Sequence, residues 1–171
     1  MKKRTVLLIA TGVLTAAICL IMNMVYIPQI ESAAQGLRCF DMRFGYSVEE
    51  AREFLNALTQ EGRNTYLTRQ LPLDCVYPLV YASFFALLFK ALYGKKTALV
   101  FLPLLLAVAD YVENVSVLLM LRHNPVYLND IQVTIASYAT IIKTAMMYLC
   151  FILILILLIM YLVRRNKKAK R

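Results

Sequence analysis

The sequence predicts an all-α protein: a four-helix transmembrane bundle with an external amphipathic helix between spans 1 and 2. The 171 residues are 61% hydrophobic and only 17% charged, with a mean hydropathy of +0.64, and are thus more apolar than a soluble domain. Four apolar stretches each reach the length of about 20 residues that a helix needs to cross a bilayer. We expect a single integral membrane domain comprising residues 1–171.

The four spans are expected at residues 5–27, 72–93, 98–121 and 131–163. The first span follows a short basic segment, as a secretory signal peptide would, and "ESAAQG" contains small residues near a conceivable cleavage point. The apolar region of a signal peptide usually has about 7–15 residues, however, and the first stretch is longer. A retained anchor is therefore favoured, and cleavage would leave three spans with an unchanged topology.

Basic residues are distributed unevenly between the two sides of the predicted bundle. Cytoplasmic loops are enriched in Lys and Arg. One side carries twelve basic residues and no acid: Lys2, Lys3, Arg4, Lys90, Lys95, Lys96, Arg164, Arg165, Lys167, Lys168, Lys170 and Arg171. The other side mixes arginines with acids. Both termini are predicted to be cytoplasmic, with the protein in the cell membrane. This asymmetry accounts for the net charge of +9, so no nucleic-acid partner is expected.

The external segment, residues 28–71, is predicted to contain a loop followed by a short helix. Its first part has no clear period, whereas residues 46–64 are regular. Ser47 and Glu50 have the spacing of a capping box. Gly62 is placed to end the helix, since glycine tolerates the left-handed conformation found there. The apolar face consists of Ala51, Phe54, Leu55 and Leu58. The helix lies either on the membrane surface or over the bundle.

Polar residues interrupt the third span in a helical pattern. Asp110, Glu113 and Asn114 lie at i, i+3 and i+4, and therefore share one face of a helix. Charged groups inside a membrane are costly, and they usually face a bundle interior or a water-filled cavity at a functional site. We expect this face to form one wall of such a site, in the outer half of the membrane.

The second and fourth spans carry polar residues at compatible depths. Asp74, Tyr77 and Tyr81 share a face of the second span, and Pro78 predicts a kink or local opening beside them. Lys143 in the fourth span either reaches towards water or turns inward to pair with the acids of the third span. Convergence of the three faces predicts an outward-facing polar pocket. The alternative is that these side chains only fix helix packing.

Three further sets of residues bear on the predicted pocket. Arg63 and Arg69 bring positive charge close to the second span, as counter-ions or anion ligands. Cys39 and Cys75 both map to the external side, where a disulfide is permitted in an oxidising compartment. The chain has one histidine, His123, in a short loop, so no metal site is expected, and no motif indicates a cofactor.

The chain resembles a family of small bacterial four-span membrane proteins in roughly its middle half. The resemblance lies in an external G-Y-S helix, then G-R-x-x-Y, D-x-x-Y-P-x-x-Y and D-x-x-E-N. These motifs correspond to Gly45, Tyr46, Ser47, Gly62, Arg63, Tyr66, Asp74, Tyr77, Pro78, Tyr81, Asp110, Glu113 and Asn114. The resemblance implies the architecture and supports this choice of residues. It implies no activity.

Three functions are compatible with these patterns. The leading hypothesis is binding or passage of a small ligand, a lipid headgroup or a proton through the polar pocket. The second is an intramembrane enzyme acting on a lipid-like substrate, with Asp110 or Glu113 as general acid or base. The third is an accessory subunit that packs against a partner membrane protein. In each case the protein is expected to be embedded in the lipid bilayer and to contact its lipids.

Overall fold

The structure, a computed structural model, describes residues 3–94, 98–123 and 125–169. Within these ranges the chain forms no strand and five main helices: α1 (Lys3–Ala33), α2 (Val48–Ala57), α3 (Gln60–Tyr93), α4 (Ala98–Arg122) and α5 (Asp130–Ala169). Two short 3₁₀ helices, Phe40–Met42 and Pro125–Tyr127, lie in the connecting segments. All except α2 are long and apolar enough to span a membrane. The prediction of an all-α four-helix bundle is confirmed. Five of the basic residues that predict the orientation lie outside the described residues: Lys2, Lys95, Lys96, Lys170 and Arg171.

The spanning helices pack in chain order. Helix α1 packs against α3, α3 against α4, and α4 against α5, which also contacts α3. Helices α1 and α5 therefore lie at the two ends of the series without extensive contact between them. Large apolar side chains such as Val13, Leu104 and Ile152 are more than half exposed on the outward faces. Such faces are suited to contact with lipid, as expected of a multi-pass membrane protein.

Helices α1 and α3 each contain a π-helical segment followed closely by a proline. The segment Met22–Tyr26 precedes Pro28, and the segment Tyr66–Gln70 precedes Pro72. A proline inside an α-helix clashes with the carbonyl one turn earlier, and the wider π turn relieves that clash. Helix α1 therefore continues through Pro28 to Ala33, and the predicted loop over residues 28–33 is wrong.

Helix α2 begins as the sequence predicts. The Ser47 hydroxyl accepts a hydrogen bond from the Glu50 amide at 3.2 Å, and the Glu50 carboxylate accepts one from the Ser47 amide at 2.7 Å. Its apolar residues are buried: Ala51, Phe54 and Leu55, together with Leu58 just beyond the helix. The helix packs against α5, and Arg52 forms a 2.7 Å ion pair with Asp130. Of the two predicted placements, the structure shows α2 folded over the end of the bundle.

Gly62 does not end α2, contrary to the sequence prediction. Helix α2 ends at Ala57, and Thr59 caps α3 by accepting a hydrogen bond from the Gly62 amide at 3.2 Å. Gly62 is buried in the first turns of α3, where an added Cβ would lie 2.5 Å from the Cβ of Ala33. The glycine therefore permits the close approach of α1 and α3. A single-sequence pattern does not reveal this contact, because Ala33 is distant in the chain.

Substitution of Gly62 by alanine is expected to destabilise the protein by about 1–3 kcal/mol, because the new methyl group overpacks the contact between α1 and α3. The free energy of unfolding in mixed micelles measures the change. The double variant Gly62→Ala/Ala33→Gly removes the overlapping methyl group and should regain part of the loss. Additive effects of the two substitutions would contradict this account of Gly62.

Candidate functional site

Lys143 on α5 lies between the two acids of α4. Its Nζ forms an ion pair with Oε2 of Glu113 and lies 3.5 Å from Oδ1 of Asp110. The Glu113 side chain is completely buried, and those of Asp110 and Lys143 are largely buried. Of the two predicted orientations of Lys143, the structure shows the inward one. The aligned face of α4 and Lys143 of α5 thus meet inside the bundle.

Neutral hydroxyl groups complete the hydrogen bonding of these two acids. The Tyr81 hydroxyl on α3 donates to Oδ2 of Asp110 at 2.8 Å, and the Thr140 hydroxyl on α5 donates to Oε1 of Glu113. Each of these carboxyl groups therefore contacts Lys143 through one oxygen and a hydroxyl through the other. Three helices are joined in this way at one level of the bundle.

Pro78 interrupts the backbone hydrogen bonding of α3 at the same level of the bundle. A proline has no amide hydrogen, so the carbonyl four residues earlier, that of Asp74, has no partner within the helix. The side-chain amide of Asn114 donates to this carbonyl at 2.9 Å. The Tyr111 hydroxyl donates to the next carbonyl, that of Cys75, at 2.7 Å. The predicted local opening at Pro78 is thus occupied by side chains of α4, and Asn114 has a structural role there.

Asp41 contributes a fourth carboxyl group, which the sequence analysis missed. It lies in the segment between α1 and α2, where its Oδ2 accepts hydrogen bonds from the Tyr66 hydroxyl at 2.6 Å and from the Cys39 thiol at 3.3 Å. Asp41 lines the same cavity as Lys143. An acid in an aperiodic stretch between arginines is normally solvated, so the sequence pattern gives no sign of this placement.

Cys39 and Cys75 are both free, so the disulfide considered from the sequence is not formed. Cys39 is buried in the segment between α1 and α2, and its thiol points to Asp41 and Tyr66. Cys75 is exposed on α3. Burial raises the pKa of the Cys39 thiol well above its usual value, and the charge of Asp41 raises it further. Cys39 therefore keeps its proton and acts as a hydrogen-bond donor to the carboxylate.

The structure does not bring Arg63 or Arg69 to the buried acids. Arg63 donates to the carbonyl of Leu121 and, at 3.3 Å, to that of Leu55. These carbonyls lie in the last turns of α4 and α2, where a cation satisfies free acceptors and opposes the helix dipole. Arg69 is exposed. The structure does not show these arginines as counter-ions of the buried acids. Arg63 instead joins the ends of α4 and α2.

A cavity of about 320 Å³ lies beside the cluster. Its polar wall consists of Asp41, Asp74, Asp110 and Lys143. The remaining wall comes mainly from α1, α3 and α5 and is largely apolar: Cys19, Met22, Asn23, Ile27, Met42, Tyr77, Thr144, Met147, Tyr148 and Phe151. The exposed side chains of Asn23 on α1 and Tyr148 on α5 form part of its rim. The cavity is therefore open on the side where α1 and α5 are not closely packed.

Hydrogen-bond acceptors exceed donors on the polar wall of the cavity. Asp74 is 3% exposed, and its Oδ2 has no hydrogen-bond partner among the described residues. Oδ1 of Asp41 is likewise buried without a partner there. Of the three ion pairs among the described residues, two join Lys143 to Asp110 and Glu113 and the third joins Arg52 to Asp130, so none includes Asp41 or Asp74. Buried polar groups normally have partners, so these two oxygens require an explanation.

The predicted site residues thus divide into two sets. Asp74, Tyr77, Tyr81, Asp110, Glu113, Asn114 and Lys143 converge at one level of the bundle, whereas Arg63 and Arg69 do not join them. No group of three or more side chains in the described parts of the chain has the arrangement of a metal site.

No protein-family model, curated protein or solved structure matches the chain. The resemblance to small bacterial four-span membrane proteins therefore remains a prediction.

Removal of the Asn114 amide is expected to cost about 1–3 kcal/mol, because Asn114→Ala leaves the Asp74 carbonyl buried without a donor. In a Pro78→Ala background the cost should be smaller, since residue 78 then has an amide hydrogen for that carbonyl. Unfolding free energies of the single and double variants give the coupling. Ser83→Ala, which removes an exposed hydroxyl from α3, the helix that contains Pro78, is the control. Equal costs of Asn114→Ala in both backgrounds would contradict the assignment.

Replacement of Lys143 by methionine is expected to destabilise the protein by about 3–5 kcal/mol, because it leaves two buried acids without their cation. The double variant Lys143→Met/Glu113→Gln should regain part of this stability, since it removes one of the unpaired charges. Thermal unfolding in detergent measures both effects. Lys90→Met, at an exposed position of α3, controls for the loss of a lysine as such. A large loss for Lys90→Met, or none for Lys143→Met, would oppose this account.

Proposed function

We propose that this multi-pass membrane protein binds a small amphipathic ligand in the cavity between α1 and α5. The polar group of the ligand lies against the carboxyl groups, and its apolar part lies along the wall formed by the helices. The cavity volume of about 320 Å³ falls within the range of about 300–1,000 Å³ that is typical of small-molecule sites. An apolar wall with a few converging polar groups is also typical of such sites.

The observation that carries this proposal is the carboxyl group of Asp74. It lies in a membrane-spanning helix, is 3% exposed, lines the cavity and has an oxygen without a hydrogen-bond partner among the described residues. Tyr46, Gln70 and Asn114 also have buried side-chain atoms without a partner there, but these residues are uncharged and do not line the cavity. A carboxylate at the position of Asp74 is costly unless a donor or a cation meets it. A ligand that completes the hydrogen bonding of Asp74 offsets this cost.

The open side of the cavity suggests the route by which the ligand reaches it. The rim lies between α1 and α5, which face the bilayer, so an amphipathic molecule can enter from the surrounding lipid. The π-helical segment Met22–Tyr26 contributes Met22 and Asn23 to this side of the cavity. Such segments are frequent at functional sites. Passage across the membrane, a lipid-modifying reaction and an accessory role remain predictions from the sequence.

We further propose that the protein lies in the cell membrane with both termini cytoplasmic. Four spanning helices put the two ends of the chain on the same side, and Lys3, Arg4, Arg164 and Lys167 lie in the outermost helical residues there. The excess of basic residues on this side supports a cytoplasmic location. The cavity is lined by Asp41 and Met42 of the segment between α1 and α2, at the opposite end of the bundle, and would then be in the outer half of the membrane.

Binding can be measured through a tryptophan placed at the rim of the cavity, because the chain contains none. Tyr148→Trp provides the reporter, and Leu105→Trp on the outer face of α4 provides the control, since residues 148 and 105 are 63% and 59% exposed. The probes are ω-bromooctylamine, ω-bromooctanol and ω-bromooctanoate, whose bromine quenches nearby tryptophan. They are added to protein in phosphatidylcholine vesicles.

At least one probe is expected to quench the Tyr148→Trp fluorescence saturably, because the cavity offers a limited number of binding sites. Quenching of the Leu105→Trp fluorescence should rise without saturation, since that tryptophan reports only on probe dissolved in the bilayer. The proposal is wrong if all three probes quench both reporters without saturation.

A further inference from the structure

We infer that the polar group of the ligand is a cationic amine, such as a primary ammonium group. This inference rests on the proposed function and specifies the class of ligand. It follows from the balance of charges and hydrogen-bond donors around the cavity.

Lys143 is already paired with acids of the protein. Its ammonium group pairs with Glu113 and lies 3.5 Å from Asp110. Those acids also receive hydrogen bonds from Thr140 and Tyr81, respectively. A ligand carboxylate or phosphate would therefore have to compete with two buried carboxyl groups for the one lysine of the cluster. An anionic headgroup is disfavoured for this reason.

Asp41 and Asp74 have no corresponding cation among the described residues. The arginines closest in the chain to Asp41 and Asp74 are either bonded elsewhere or exposed. Arg43 donates to the carbonyl of Arg38, Arg63 donates to helix-end carbonyls, and Arg69 is exposed. Asp41 and Asp74 line a shared cavity, and each has a buried side-chain oxygen without a hydrogen-bond partner among the described residues.

In the ionised form of these two carboxyl groups the unpartnered oxygens are acceptors, so a matching ligand must supply donors. An ammonium group has three donors and no acceptor, and it also supplies the positive charge. Its hydrogen bonds to carboxylates are stronger than those between neutral groups. The rings of Tyr77, Tyr148 and Phe151 line the same cavity, and aromatic faces attract cations. A neutral alcohol would supply only one donor and no charge.

The three bromooctyl probes test this inference directly, because they share a chain and differ in the polar group. In the Tyr148→Trp protein, the amine is expected to bind about tenfold more tightly than the alcohol, as hydrogen bonds to charged groups would give. The carboxylate should bind more weakly than the alcohol. Asp74→Asn, which keeps the shape but removes the charge, should abolish the preference for the amine.

Asp130→Asn is the matched control, since it makes the same change at an exposed residue that pairs with Arg52. The preference should be unchanged in this variant.

Competition by ethylamine in the aqueous phase distinguishes two sources of the amine. If ethylamine displaces bromooctylamine at a concentration similar to that of the bromooctylamine, the natural ligand is a soluble amine. If ethylamine displaces it only weakly, the natural ligand is an amine attached to a lipid chain. Either result is compatible with a cationic site.

Saturable binding of the alcohol or the carboxylate with an affinity equal to that of the amine would overturn the inference. The proposed function would then stand, because the cavity would still bind an amphipathic molecule. Absence of saturable binding by all three probes would instead reject the proposed function. The comparison of probes uses the Tyr148→Trp reporter alone, so it remains decisive even if Asp74→Asn does not fold.

Discussion

The burial of Lys143 between Asp110 and Glu113 is the constraint on which the arrangement of the later helices depends. A charge in a low-dielectric interior is costly unless an opposite charge and hydrogen-bond donors surround it. Glu113 can meet Lys143 only if α4 and α5 are in one register, and Asp110 can meet Tyr81 only if α3 is also in place. Among apolar surfaces that could slide past one another, this cluster favours one alignment.

A second constraint comes from the prolines of the spanning helices. Pro28 and Pro72 follow π-helical segments, and Pro78 leaves a carbonyl that Asn114 satisfies. In a bilayer a free carbonyl cannot bond to water, so each irregularity needs a partner inside the protein. The π-helical segment of α1 contributes Met22 and Asn23 to the cavity, and Pro78 of α3 lies one turn beyond Asp74 in its polar wall.

The sequence predicts the spanning helices and the convergence on α4 well, because both depend on local patterns. Apolar length identifies the spans, and the spacing of Asp110 and Glu113 identifies a shared face. The position of Gly62 and the partners of Arg63 could not be predicted, since each depends on a contact with a residue distant in the chain. Asp41 escaped detection for the same reason: nothing near it in the sequence indicates that Tyr66 holds it over the bundle.

The placement of Asp41 has a consequence for how such a site can diversify. Three of the carboxyl groups belong to helices whose packing restricts substitution, whereas Asp41 belongs to a connecting segment that is anchored by Cys39 and Tyr66. Replacement of Asp41 would alter the charge of one wall without changing a spanning helix. Ligand preference can thus evolve, or be engineered, at a position outside the membrane-spanning helices.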